Sequence, residues 1–145
     1  MPVDLRCAQR RIRVDLRRVK QVAEKLLEGV HREKMVVSVL LTDDQEMAAL
    51  HERWMDDPSP SDVLSFPAEE KGTLHFGTHH LFLGDIAISA ETAARRSPGD
   101  PMKEIEKYLV HGVLHLVGHD HAKAEEKKKM WAEARRLRRL IAEES

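Results

Sequence analysis

Residues 35–41 read MVVSVLL, and no other stretch limits the possible folds as tightly. The valines at 36, 37 and 39 are restricted at χ1 and favour extended backbone. Only Ser38 interrupts the apolar character, so the run predicts a strand buried on both faces. Such a strand must lie inside a sheet that other elements cover, and the rest of the chain supplies them. Asp15 reads as a helix N-cap. Leu16, Val19, Val22, Ala23, Leu26, Leu27 and Val30 follow at helical spacing, with Gly29 near the end. Val3 to Cys7 reads as a short strand. Thr42 and Gln45 form a capping box that opens a second helix, through Met47 and Leu50 to about Trp54.

Proline and glycine divide the remainder. DDPSPSD at 56–62 is a loop, Val63 to Phe66 a strand that Pro67 ends, and 68–80 a polar surface loop. Leu81 to Ser89, LFLGDIAIS, is a strand with a Gly-Asp pair inside it. A short helix from about Glu91 reaches the Pro98-Gly99 break. Asp100 as N-cap and Pro101 at the first helical position open a central helix, through Ile105, Tyr108, Leu109, Val110 and Val113 to Gly118. A last helix from about Ala124 places Met130, Trp131, Ala134, Leu137 and Ile141 on one face. With no repeat and no linker, the expectation for residues 1–145 is one α+β domain. It is a small mixed β-sheet covered by about five helices, with a single metal site at the central helix.

Cys7 is the only cysteine, which excludes a disulfide within the chain and leaves a thiolate zinc site without partners. No stretch approaches the roughly 20 apolar residues of a membrane span. No apolar block follows the basic N-terminal residues, so no signal peptide is visible, and the expected location is the cytoplasm. The net charge of −1 conceals an asymmetry. Residues 1–20 carry seven Lys or Arg against two Asp, residues 41–100 four basic groups against twelve acidic, and residues 122–145 eight against five. Basic stretches of this kind suit a solvated helix face or a surface that tracks a polyanion, and charge alone does not choose.

The chemistry concentrates in 111–121, HGVLHLVGHDH. On a helix, His111 and His115 stand one turn apart on the same face, close enough to share an ion. Gly118 tolerates the left-handed conformation that ends a helix, which gives His121 a route back to the same ion. Three neutral imidazoles with a fourth position left for water make a catalytic zinc site, expected to hold one Zn2+. Nickel, copper or iron also suits imidazole ligands. His119, also four after His115, is the competing ligand, but Gly118 should break the helix between them. His75, His79 and His80 fall in the polar loop with no such spacing. The long zinc-protease signature H-E-x-x-H-x-x-G-x-x-H matches at every fixed position but the second. Gly112 stands there in place of the glutamate that acts as general base in peptide hydrolysis, and glycine moves no proton.

HGVLHLVGHDH, SDVLSFP at 61–67 and LGDIAIS at 83–89, in that order, resemble the YbeY family of bacterial endoribonucleases over nearly the whole chain. The family's H-G-x-x-H-x-x-G-x-D-H puts its metal ligands on His111, His115 and His121. The resemblance implies a zinc-dependent, single-strand-specific endoribonuclease that matures ribosomal RNA, including the 3′ end of 16S rRNA, and takes part in ribosome quality control. Its implied partners are ribosomal RNA and the ribosome, with no membrane. The family's aromatic-Arg pair before SDVLSFP maps to Trp54 and Met55, so the arginine is replaced and Arg53 is the nearest cation. Asp85 and Asp120 are the nearest acidic candidates for proton transfer, with Asp120 better suited to orienting a ligand imidazole. Ser61 and Asp62 would cap or tie the loop beside the site. Arg53, Arg10, Arg11 and Arg13 are candidate RNA contacts, and Arg17, Arg18, Arg95, Arg96, Arg135, Arg136, Arg138 and Arg139 also offer cations for phosphates. Trp54 and Trp131 offer rings for bases, although Trp131 fits the buried face of its helix. The competing functions are a metal-dependent hydrolase of another substrate, peptidase-like with a different base, and a ribosome-associated binding factor with a structural metal.

Overall fold

In the computed structural model, residues 3–55, 63–67, 81–118 and 124–143 are described. The elements in chain order are β1 (Val3–Cys7), α1 (Leu16–Gly29), β2 (Met35–Thr42), α2 (Asp44–Met55), β3 (Val63–Pro67), β4 (Leu81–Ser89), α3 (Ala90–Arg96), α4 (Pro101–Leu116) and α5 (Ala124–Glu143). The four strands form one sheet in the order β1-β2-β4-β3, with β1, β2 and β4 parallel and β3 antiparallel to β4. Among the described residues the fold is α+β, a four-stranded mixed sheet with five helices.

Local chemistry sets several of these boundaries. The Asp15 carboxylate accepts from the Arg18 N–H at 3.1 Å and starts α1, and Asp100 accepts from Lys103 N–H at 3.3 Å and starts α4 behind Pro101. The start of α2 lies one residue later than the expected box. Asp43, rather than Thr42, accepts from the Glu46 N–H at 2.8 Å. Thr42 instead closes β2, fully buried, and its hydroxyl donates to Glu46 at 3.0 Å.

Side-chain alternation gives the sheet two unequal faces. On one, Val37, Val39, Leu41, Ile86 and Ile88 join α1 (Val19, Leu26, Leu27), α4 (Ile105, Leu109, Val113) and α5 (Met130, Leu137, Ile141) in a single buried cluster. On the other, Met47 of α2 covers Leu64 and Ala87, flanked by Leu40, Leu50 and Phe66. This corrects the reading of MVVSVLL as buried on both faces: Val36, Ser38 and Leu40 are only half-buried. One helix covers that face in part and leaves a 190 Å3 groove lined by Arg6, Ser38, Leu40 and Asp85. Apolar content does not distinguish a sandwiched strand from a half-covered one.

A second correction falls on α5. Met130, Leu137 and Ile141 are buried as expected, but Trp131 is 59% exposed. Consecutive helical residues project about 100° apart, so seating Met130 in the core turns Trp131 outward. The Lys127 ammonium lies 5.2 Å from its ring centroid.

A polar node ties α2 to β4 and α3. Asp44 accepts from Ser89 Oγ at 2.5 Å, Thr92 Oγ1 at 2.7 Å and Arg95 Nη1 at 2.5 Å, while its own N–H donates to Glu91 Oε1 at 2.9 Å. Desolvation alone would raise the Asp44 pKa, but these three hydrogen bonds and the Arg95 charge outweigh it and hold the carboxyl below its ordinary value. A carboxylate with a depressed folded pKa stabilises fully above its unfolded pKa, and that contribution is lost as pH falls through the folded value. Asp44→Asn is therefore expected to lower the melting temperature at pH 7, with the gap to the parent narrowing below about pH 4, where the unfolded carboxyl begins to take up its proton, and closing once the folded carboxyl is protonated too. Thermal melts of both proteins across that range check it, and a gap independent of pH would contradict it.

Candidate metal centre

α4 carries the candidate ligands because of how it lies on β4. Gly112 rests on Ile86, and a Cβ on Gly84 would stand 2.7 Å from Leu116 Cδ2, so α4 runs antiparallel to β4 with its last turn over the strand's first half. The helix ends at Leu116, Val117 caps it, and Gly118 takes φ +100°, the left-handed turn expected of that glycine. The Gly118 N–H donates to the carbonyl of His115 at 3.0 Å, so the chain turns immediately beyond the second histidine.

His111 is exposed and His115 half-buried. Their Nε2 atoms are 3.1 Å apart, with ring centroids at 4.7 Å and planes inclined by 60°. Two imidazoles bound about 2.0–2.1 Å from a common tetrahedral ion place their donor nitrogens roughly 3.3 Å apart, so the spacing of this pair suits two ligands of one zinc-class ion. Among the described residues no set of three His, Cys, Asp or Glu converges on one point. His121, Asp120 and His119 lie outside the described residues, as do Ser61, Asp62, His75, His79 and His80 and the side chains of Trp54 and Met55.

Gly112 explains its own departure from the protease signature. A Cβ there would meet Ile86 Cγ2 at 2.9 Å and Cδ1 at 3.0 Å, so this position points into the sheet and has no room for a glutamate. Ser65 of β3, within SDVLSFP, brings its hydroxyl 3.5 Å from the Gly112 carbonyl. Ser65 also pairs with Ile86 across the β3–β4 ladder, so SDVLSFP is tied both to LGDIAIS and to the histidine helix. Nothing in one sequence signals that Ile86 and Ser65 meet Gly112, since the contacts join residues 26 and 47 positions apart.

The remaining candidates are not gathered around the pair. Ile86 faces α4, so Asp85, its neighbour in the strand, projects to the opposite face and lines the groove with Arg6 and Ser38. It therefore does not face the histidines as a proton-transfer group. Arg10, Arg11 and Arg13 are exposed beyond the carboxyl end of β1, two strands from β4 and at the other end of the sheet from the last turn of α4. Arg11 pairs with Glu91 at 3.4 Å. Arg53 is exposed in the last turn of α2, the helix on the Asp85 side of the sheet.

Comparison with known proteins identifies the family. The family model described as Endoribonuclease YbeY matches residues 4–141. Proteins named Endoribonuclease YbeY are similar to the chain at 43% identity in Acidothermus cellulolyticus, 39% in Thermobifida fusca and 37% in Aquifex aeolicus. These matches cover 66%, 81% and 86% of this chain, and 64%, 80% and 81% of the respective relatives. The solution structure of TM1509 from Thermotoga maritima shares the fold, with a TM-score of 0.62 at 23% identity, over 98% of this chain and 90% of that one. With its family model matched over residues 4–141 and its three motifs in order along the sequence, the chain belongs to the YbeY endoribonuclease family.

Proposed function

We propose that the protein is a metal-dependent endoribonuclease that cuts single-stranded ribosomal RNA during its maturation, in the cytoplasm and in association with the ribosome. His111, His115 and His121 hold one ion, zinc by preference. The observation that carries this reading is the His111–His115 pair, with Nε2 atoms 3.1 Å apart at the end of α4, in a chain of this family. When bound, a zinc-class ion supplies a Lewis acid for phosphoryl oxygen and brings the pKa of water to about 7.

The chain's own residues do the rest. His111 is exposed and His115 half-buried, so the pair lies where a strand can approach from solvent. Gly118 turns the backbone so that the following residues can return to the pair. Asp120 orients a ligand imidazole, which keeps its free nitrogen in the donor tautomer. A peptidase is disfavoured because Gly112 faces Ile86, leaving no carboxylate at the position where zinc proteases carry their base.

Chelation tests the reading. Treatment of the purified protein with a zinc chelator should abolish cleavage of a ribosomal RNA fragment that holds both stems and unpaired segments. Readdition of about one equivalent of Zn2+ should restore cutting in the unpaired segments. Cutting that survives complete removal of metal would rule out metal dependence. Folded, metal-loaded protein that leaves the RNA intact would favour the ribosome-associated binding factor instead. No described helix is long and apolar enough to cross a membrane.

A further inference from the structure

The exposed ridge of α4 does not begin at the histidines. Lys103, Lys107, His111 and His115 are spaced by four, so each stands one turn beyond the last, and the row covers about 18 Å while winding about 40° per step. Lys103 and Lys107 are exposed, and both line a 230 Å3 groove whose opposite wall is Arg138 of α5. The groove also contains Arg18 and Glu106, which pair at 2.9 Å and so neutralise one another. Its remaining charge is the three cations.

Beyond Arg138, the basic surface continues along α5. Arg138, Arg135, Trp131 and Lys127 lie within an arc of about 80° on that helix, and all four are exposed. Between residues 127 and 139 seven Lys or Arg stand against one Glu. Trp131 sits inside this field, 59% exposed, with the Lys127 ammonium against its ring. Among the described residues only Leu16 and Trp131 are large apolar side chains left exposed, so Trp131 is not the centre of an apolar patch. A protein interface needs such a centre. A lone ring framed by cations suits instead a single nucleic-acid strand, whose base stacks on the ring while phosphates on either side meet the cations.

We propose that Trp131, Lys127, Arg135 and Arg138 form a docking platform for single-stranded RNA, continuous through Lys103 and Lys107 with the histidine pair. The platform feeds a strand along the α4 ridge towards His111 and His115. That direction rests on the endoribonuclease reading, whereas the binding itself does not.

The test reads binding without cleavage. The 145-residue protein, treated with chelator, is titrated into a fluorescein-labelled 12-nucleotide single strand with 2′-O-methyl riboses, and separately into a duplex of the same length, at several KCl concentrations. Trp131→Ala should weaken single-strand binding about 5- to 150-fold, the loss of one stacked base, with little effect on the duplex. Trp131→Phe should recover most of it. The combined variant Lys127→Gln, Arg135→Gln, Arg138→Gln should make the slope of log affinity against log salt shallower by about 2, as three lost phosphate contacts require on a single strand. All four side chains are exposed, and circular dichroism melts matching the parent's keep the comparison valid. Unchanged affinity and slope in both variants would overturn the platform. So would a charge variant that loses single strand and duplex equally while Trp131→Ala loses nothing, since that marks a basic face blind to strand form. Protein that binds as described yet cuts no RNA would retain the platform and lose only the endoribonuclease reading.

Discussion

His115→Ala is expected to lose its bound metal and at least about 1,000-fold in RNA cleavage, the equivalent of about 4 kcal/mol of transition-state stabilisation. The magnitude follows from what a single ion contributes to phosphoryl chemistry. The direction follows from geometry, since Nε2 atoms 3.1 Å apart are spaced to share one ion and removal of one leaves the other without a chelate partner. His111→Ala should fall by a similar factor, and the double variant little further, because residues that act as a unit are not additive. The fold should survive all three, since His111 is exposed and His115 half-buried beside the core rather than within it. Metal content, far-ultraviolet circular dichroism and cleavage rate measured on the same preparations separate these effects. A His115→Ala protein that keeps its metal and its rate would remove the pair from the mechanism.

Gly112→Ala is expected to destabilise, against the usual behaviour of glycine in a helix. In an exposed helix this change stabilises by about 1 kcal/mol. Here the new methyl would stand 2.9 Å from Ile86 Cγ2 and 3.0 Å from Cδ1, so the fully buried Ile86 side chain would have to shift within the core. Overpacking of this kind costs about 1–3 kcal/mol, which outweighs the propensity gain. Gly112→Glu, which completes the protease signature, adds a buried carboxylate and should cost more than about 4 kcal/mol, close to the whole stability of a small domain. Neither variant should acquire peptidase activity, because the position faces the sheet. Urea denaturation gives the numbers. In an Ile86→Ala background the Gly112→Ala penalty should vanish, since the obstructing atoms are gone. A Gly112→Ala protein more stable than the parent would show that the helix and strand separate easily there.

The elements that could be read from the sequence are those that neighbouring residues decide. Asp15 and Asp100 cap their helices by bonding N–H groups three residues on, Pro101 starts α4 with its ring, and the Leu81–Ser89 strand ends where Ser89 turns to cap α3 at Thr92. The histidine spacing belongs to the same class, because residues four apart on any helix share a face, and the 3.1 Å pair follows once α4 is helical. What only the tertiary structure decided is which side of each element another segment covers. Half-cover by α2 left one face of β2 partly open, and the strand's alternation turned Asp85 away from the histidines. The seating of Met130 against the core put Trp131 in solvent, and Ile86 claimed the space beside Gly112. Asp44 acquired Ser89, Thr92 and Arg95 from segments 45 to 51 residues away. Hydrogen bonds within a turn are encoded in consecutive residues, whereas the face that a strand or helix buries depends on distant parts of the chain, and a linear pattern of apolar residues records only that burial occurs, not against what.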